Sequence, residues 1–330
     1  MINKYEIIKK LNLIIDKKSI IIDNQLLTKY NRDWRGFYNF KCICVVFPSN
    51  KLEIKKILLL CNKENIKIVP QGGNTSLTGA SVPSKNNYEV ILNLSKMNKI
   101  IRLDKSNLLI EVEAGTTLNS VKEYADKNNL YFPIEIPSSG TCQIGGNIAT
   151  NAGGINALKY GTIEENLRGV EVILPDGSEL NSILPIKKNN TGYKLKNLFC
   201  GSEGTLGIIT KAQLKLYPKP KDYFHCFFSA NSINKIINLF QKIQENYKDK
   251  LESAEIIPNI AIEQTIKHGL LNKSFFEKKY EFYLLLKFCL FEEKNSFQDF
   301  FLENLNSIKN DFEEVIIPSS IEQEKKLWEF

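Results

Sequence analysis

The sequence predicts an α+β fold in about two domains. Three observations carry that expectation: strand-like apolar runs that end in glycine-rich stretches, capped amphipathic segments between them, and a change of composition near residue 220. Hydrophobic residues make up 43% and charged residues 25% of the 330, the proportions of an ordinary globular chain that can bury a sizeable core.

Residues 1–40 read as a helical, lysine-rich lead-in ending at Asn31-Arg32-Asp33-Trp34-Arg35-Gly36. A first domain follows over 41–220. Its first strand is the apolar run 42–49. Asn50 and Glu53 form an N-cap signature, and Ile54, Ile57, Leu58 and Cys61 then recur on one helix face. Ile66–Val69 is a short strand leading into the glycine-rich stretch 70–79. Strands are predicted at Glu89–Leu94, Lys99–Asp104 and Leu108–Glu113, and a helix from Thr117 with Leu118, Val121 and Ala125 inward. A second glycine-rich stretch covers 137–154. Val170–Leu174 is a strand closed by a turn at Asp176-Gly177. A third cluster, 201–207, precedes the alternating strand Ile208–Tyr217, and Pro218 and Pro220 mark the boundary. Beyond it, 224–229, a helix through 231–248 and the run 282–291 predict a second α+β domain over 221–330. The pattern breaks off at Lys326-Leu327-Trp328-Glu329-Phe330 without a cap, so that domain is expected to be incomplete.

The net charge of +7 comes from lysines spread along the whole chain, not from a clustered patch, which argues against a nucleic-acid partner. The seven cysteines sit in apolar surroundings with no CxxC pair and read as small buried hydrophobes. The N-terminus lacks the apolar core and cleavage site of a signal peptide. No run of about 18 apolar residues could span a membrane. A reduced, cytoplasmic setting is the expectation.

The glycine clusters carry the chemistry. Glycine lets a ligand approach the backbone, and successive N–H groups in such a turn form an anion site. The first cluster, Pro70-Gln71-Gly72-Gly73-Asn74-Thr75-Ser76-Leu77-Thr78-Gly79, follows a strand, as a phosphate cradle should. It is neither GxGxxG nor a P-loop, so it supports no nicotinamide or nucleoside-triphosphate site. The second runs Pro137-Ser138-Ser139-Gly140-Thr141-Cys142-Gln143-Ile144-Gly145-Gly146-Asn147 and on to Gly154, almost uncharged and suited to a long, flat ligand. The third is Gly201-Ser202-Glu203-Gly204-Thr205-Leu206-Gly207-Ile208-Ile209-Thr210.

Together with Lys159-Tyr160-Gly161 and Lys188-x-x-Thr191-Gly192-Tyr193, these motifs resemble, in order and spacing, the PCMH-type (vanillyl-alcohol-oxidase-like) FAD domain of D-2-hydroxyglutarate dehydrogenase, D-lactate dehydrogenase and the glycolate oxidase catalytic subunit. The resemblance is strong over about 30–220 and weaker beyond. The Asp33-Trp34-Arg35-Gly36 stretch is similar to the D-2-hydroxyglutarate branch in particular. Asn189 and Lys194 stand where the family's motif carries two acids.

The resemblance implies an FAD domain of two α/β subdomains followed by a ferredoxin-like substrate or cap domain. It implies FAD, its pyrophosphate cradled by Gly72–Ser76, with Pro70 and Gly79 also cofactor-binding. Thr141, Gly145, Gly146 and Asn151 would line the ribityl and ring portions, alongside Pro137, Ser138, Gly140 and Ala149. Ile208 and Ile209, after Gly204, would contact the adenine side or the ring edge. Covalent relatives place a flavin-linking histidine in the first loop; here Asn74 and Thr75 stand there, and the chain's two histidines are His225 and His268. FAD is therefore expected to be non-covalent, with a Cys142 thioether a remote alternative.

The activity implied is oxidation of a D-2-hydroxy acid (2-hydroxyglutarate, lactate or glycolate) to the 2-oxo acid, with electrons passing to a protein or quinone acceptor. The base, the carboxylate-clamping arginine and the ligands of a divalent metal, which the family draws from its C-terminal part, are expected beyond Phe330. The arginine would follow the Leu327-Trp328 motif. Catalytic residues are therefore unassigned, metal ligands are none, and the chain is expected to be an N-terminal fragment, with a second polypeptide as a possible carrier of the remainder. A non-catalytic FAD-binding subunit and a flavin enzyme of other chemistry, such as ether-lipid synthesis, stay open as alternatives.

Overall fold

A computed structural model describes residues 3–85, 88–184, 186 and 188–328. The chain divides into two units, Met1–Gly154 with Gly161–Pro218, and Ile155–Tyr160 with Lys219–Phe330.

The first unit is built on two sheets. The smaller has the order Ile20–Ile21, Cys44–Val46, Glu89–Asn93, Lys67–Gln71, and its last three strands run parallel. Between the parallel strands lies the helix Lys51–Lys63. Asn50 caps it by accepting from the Glu53 amide (3.0 Å), and Ile54, Ile57, Leu58 and Cys61 are its buried face. The helices Lys4–Leu11 and Asn24–Asn31 occur in the predicted lead-in, but Ile20–Ile21 between them is a strand, with Ile20 opposite Val46. Its β-branched run suits a pleated edge better than a helix. Ile7, Leu11 and Ile15 join the main core of this unit.

The larger sheet is antiparallel, in the order Ile100–Asp104, Leu109–Glu113, Ile208–Lys215, Leu167–Ile173, Glu179–Asn181. The helix Leu118–Lys127 is capped by Thr117 and buries Leu118, Val121 and Ala125, the three predicted positions. A buried carboxylate, Glu171, sits on this sheet. Burial alone would raise its pKa. The Thr210 hydroxyl (2.8 Å) and the ammonium groups of Lys211 (3.4 Å) and Lys51 (3.3 Å) outweigh that and hold it below the usual carboxylate range.

In the second unit the strands Asp222–Ala230, Leu251–Pro258, Phe282–Leu290 and Glu314–Ile316 form one antiparallel sheet, spatial order second, third, first, fourth. With the helices Ile233–Tyr247 and Lys294–Leu305 this is the βαββαβ plan of a ferredoxin-like unit. All four strands and both helices lie within the described residues of what the sequence reading expects as an incomplete domain. Alternation along the strands gives the sheet two apolar faces. Phe224, Cys226, Phe228, Leu284, Leu286 and Phe288 meet the two helices, while Phe227, Tyr283 and Leu285 meet Ile262, Phe276, Tyr280 and Leu327. Each fully buried phenylalanine contributes about 1.5–3 kcal/mol. Residues 155–160 cluster with this unit: Asn156 Oδ1 accepts from Ser253 Oγ (2.8 Å), and Tyr160 donates to Cys289 Sγ (3.8 Å). Glu329 and Phe330, where the predicted pattern breaks off, lie outside the described residues. No helix among the described residues is long and apolar enough to cross a membrane.

Candidate functional site: a glycine-walled cleft

The three glycine clusters meet in the first unit, around a cleft of about 300 Å³. The first loop leaves the carboxyl end of the strand Lys67–Gln71, where ligands of parallel sheets commonly sit. Buried Gln71 pins its root, donating to the carbonyls of Tyr30 (3.0 Å) and Ser81 (2.7 Å), while Asn93 Nδ2 donates to Gln71 Oε1 (3.2 Å) and the Gly72 carbonyl (3.1 Å). Within the described residues no protein group accepts from the N–H groups of Asn74, Thr75 and Ser76. Consecutive amides of this kind suit an anion.

The second cluster folds as a turn, with the amides of Thr141 and Cys142 both donating to the Ser138 carbonyl (2.9 and 2.8 Å), and then as the short helix Ile144–Ala149. The third cluster is fastened to that helix: the Gly201 amide donates to Ile148 O (3.0 Å) and the Glu203 amide to Ala149 O (2.8 Å). Gly204, in left-handed backbone, fits where a Cβ would stand 2.9 Å from Pro70 Cγ. The loops thus brace one another before any ligand is considered.

Of the residues singled out from the sequence, Pro70, Gly72, Gly73, Asn74, Thr75, Ser76, Ser138, Gly145, Gly146, Ala149, Gly204, Ile208 and Ile209 line the cleft; Gly79, Pro137, Gly140, Thr141 and Asn151 do not. Pro137 and Gly140 are exposed. Thr141 turns its carbonyl to Gly73. Asn151 Oδ1 is occupied by the Glu164 amide (3.2 Å) and the Cys200 thiol (3.4 Å). Gly79 packs against the Tyr38 ring. The Lys188–Lys194 stretch, with Asn189 and Lys194, is exposed and outside this cleft.

The glycines divide by what surrounds them. A Cβ on Gly73 would lie 2.0 Å from the Thr141 carbonyl oxygen, and one on Gly145 would lie 2.8 Å from Ala114 Cβ. These two are required by packing between loops. In the first loop positive φ falls at Asn74 (+53°) and Gly79 (+78°), while Gly72 and Gly73 are not in the left-handed region. A Cβ on Gly146 would meet nothing within 4 Å, so this wall residue is small toward open space.

Two polar residues escaped the sequence reading. Gln143 and Asn147, 7% and 4% exposed, line the cleft one helical turn apart. Among the described residues, Gln143 Oε1 and Asn147 Nδ2 have no hydrogen-bond partner. A buried acceptor or donor left unmade costs about 1–3 kcal/mol, so the pair is built for a ligand with complementary groups. The spacing i, i+4 between apolar neighbours was the available signal.

The two histidines take no part in this cleft. His225, in the second unit, is buried, which with nearby Lys287 and Lys294 pushes its pKa down to about 3. Its Nδ1 accepts from Trp328 Nε1 (2.9 Å). His268 is exposed at the end of the helix Asn259–Lys267. Among the described residues no group of three or more His, Cys, Asp or Glu could hold a metal ion, so these residues do not fit the divalent metal of the family resemblance.

Residues 42–182 match the FAD binding domain family. This segment is an FAD-binding domain. The chain is 35% identical over 262 residues to a D-2-hydroxyglutarate–pyruvate transhydrogenase of Saccharomyces cerevisiae, covering 79% of this chain and 52% of the yeast protein. It is 31% identical over 320 residues to the mitochondrial D-2-hydroxyglutarate dehydrogenase of Arabidopsis thaliana, covering 96% and 56%. The chain therefore spans about half the length of these curated relatives. Among solved structures, an alkyldihydroxyacetonephosphate synthase superposes with a TM-score of 0.79 at 20% identity, covering 98% of this chain and 62% of that one. A p-cresol methylhydroxylase superposes with a TM-score of 0.73 at 16% identity, covering 98% and 68%. These two likenesses show the fold, that of PCMH-type flavoenzymes. The FAD-binding domain fits its cleft on two counts observed here: unpartnered buried polar atoms on the wall, and a glycine wall that a side chain would fill.

Proposed function

We propose that this chain binds FAD non-covalently in the glycine-walled cleft and is the flavin-bearing part of a dehydrogenase that oxidises a D-2-hydroxy acid. The carrying observation is the convergence of three glycine loops on one cleft with Gln143 and Asn147 unpartnered in its wall. The names of the curated relatives support the substrate class, with 2-hydroxyglutarate foremost and lactate next.

Bound FAD supplies a hydride acceptor for the carbon that bears the hydroxyl. The chain's own residues bind and orient. The amides of Asn74, Thr75 and Ser76 face the anionic pyrophosphate, Gly146 leaves the ligand room, and Gln143 and Asn147 hydrogen-bond its polar edge. Nearby Cys142 is buried, and no histidine lies in the first loop, which supports a non-covalent cofactor. The electron acceptor is proposed to be a protein or quinone, because no nicotinamide motif is present. Residues to take the hydroxyl proton and clamp the carboxylate are not assigned among the described residues, so full turnover is proposed to need groups beyond those identified here.

The purified chain should be yellow, and acid precipitation should release the colour to the supernatant. A colourless protein that also fails to take up added FAD would overturn the proposal. Anaerobic mixing of the FAD-loaded chain with D-2-hydroxyglutarate, D-lactate or glycolate should leave the flavin absorbance nearly unbleached over seconds. Rapid bleaching would place the catalytic groups within these 330 residues.

A further inference from the structure

The loop 72–79 has no regular structure, yet Gly72 to Leu77 wall the cleft. Its shape is held from outside. Asn74, in left-handed backbone, spends its side chain there: Nδ2 donates to the carbonyls of Arg32 (2.8 Å) and Lys29 (3.3 Å), and Oδ1 accepts from Ser81 Oγ (2.8 Å). Gln71, at the loop's root, donates to the Tyr30 carbonyl (3.0 Å). Lys29 and Tyr30 lie in the last turn of the helix Asn24–Asn31, where main-chain carbonyls have no partner within the helix. The loop completes the helix end, and the helix end fixes the loop.

At the other end of the loop, Gly79 has φ +78°, and a Cβ there would stand 2.5 Å from the Tyr38 ring. Tyr38 is itself placed by Asp33, a carboxylate only 3% exposed. Asp33 Oδ1 accepts from the Tyr38 amide (2.7 Å), Oδ2 from the Arg35 amide (3.2 Å), and the Asp33 amide donates to the Tyr38 carbonyl (3.0 Å). The Asp33-Trp34-Arg35-Gly36 motif is thus the bend that presents Tyr38. None of residues 29–38 lines the cleft.

We propose that residues 29–38 are a template that shapes the cofactor loop, with Asn74 and Tyr38 as positioning residues, so that FAD affinity depends on a segment outside the cleft. The inference rests on the assignment of the cleft to FAD. A loop already shaped does not have to be ordered by its ligand, and that saving appears as affinity.

The test uses the full chain as apoprotein. Asn74→Gly keeps access to left-handed backbone but removes the three hydrogen bonds; Tyr38→Ala removes the ring under Gly79; Tyr38→Phe keeps it. FAD affinity and release rate are read by flavin fluorescence, bound-flavin geometry by visible circular dichroism, and folding by the thermal midpoint of the apoprotein. Asn74→Gly and Tyr38→Ala should each weaken FAD about ten-fold, or about 1.4 kcal/mol, speed its release and alter the dichroism, while Tyr38→Phe binds as wild type. If both variants bind FAD with wild-type affinity, even with a lowered apoprotein midpoint, the segment only stabilises the fold and the template is overturned. A wild-type chain that takes up no FAD overturns the cleft assignment together with this inference.

Discussion

The two units solve the problem of making a specific structure in opposite ways. Only Gly269 of the 18 glycines falls in 219–330, but 14 of the 19 phenylalanines do. In the first unit specificity lies in backbone against backbone, as where Gly73 meets the Thr141 carbonyl and Gly154 meets the Glu135 carbonyl. In the second it lies in ring against ring: Phe224 packs on Phe301, Phe297 and Phe288 at centroid distances of 5.1, 5.4 and 6.0 Å. A backbone-built wall can present N–H groups and close approach to a ligand. A ring-built core presents none, and its contribution is stability.

That contrast is most sharply broken or confirmed by Phe224→Ala. Truncating a fully buried phenylalanine costs about 3–5 kcal/mol, and the loss should appear in the second unit. The chain has one tryptophan in each unit, Trp34 and Trp328. In a Trp34→Phe background, denaturant unfolding followed by Trp328 fluorescence should shift strongly to lower midpoint. An unchanged transition would mean that the aromatic cluster is not what holds this unit together.

Next in size is Gly73→Val. Overpacking against a main-chain carbonyl costs about 1–3 kcal/mol, and here the carbonyl belongs to the loop across the cleft, so stability and FAD affinity should fall together. Flavin titration of the folded variant checks this, and wild-type affinity would place the cofactor elsewhere. Gly146→Ala separates the two effects. With nothing within 4 Å of its Cβ, the apoprotein midpoint should stay put while FAD binding weakens about ten-fold, roughly 1.4 kcal/mol. A midpoint that drops with affinity intact would make Gly146 structural.

A separate effect, read across pH, concerns His225. Its folded pKa of about 3 lies below the unfolded value, about 6.5. Between these limits the unfolded chain binds the proton and the folded chain does not. The stabilisation is therefore complete above about pH 6.5 and is lost as pH falls toward 3. Thermal midpoints across that window should flatten in His225→Gln relative to wild type. Equal slopes would show that His225 does not stay neutral in the folded state.

How much of this was legible in the sequence depended on which group carries the signal. The helix Lys51–Lys63 could be read because its cap and its apolar stripe are both side-chain patterns. The apolar runs 224–229 and 282–291 announced two strands of the second unit, while its ferredoxin-like plan was implied only by the family resemblance. The glycine clusters announced a cleft, but not which glycine does what. Gly73 and Gly146 look alike in sequence, and only their neighbours in space distinguish a packing requirement from an open wall. Asn74 holds left-handed backbone without being a glycine, and its side chain compensates by bonding to carbonyls more than forty positions away. Gln143 and Asn147 were missed for a related reason: a polar residue's burial, and the lack of a partner for it, are tertiary facts.

The placement of residues 155–160 has a consequence for how the chain can be assembled or divided. These six residues belong with the second unit although the first unit's sequence resumes after them. No single cut separates the units. A piece ending at Pro218 would keep Asn156 and Tyr160 but lose Ser253 and Cys289, to which they are bonded. During synthesis the segment emerges about a hundred residues before those partners, with the remainder of the first unit made in the interval. Such long-range pairings are slow to form, so the docking of this segment into the second unit should be among the last features to lock as the nascent chain folds.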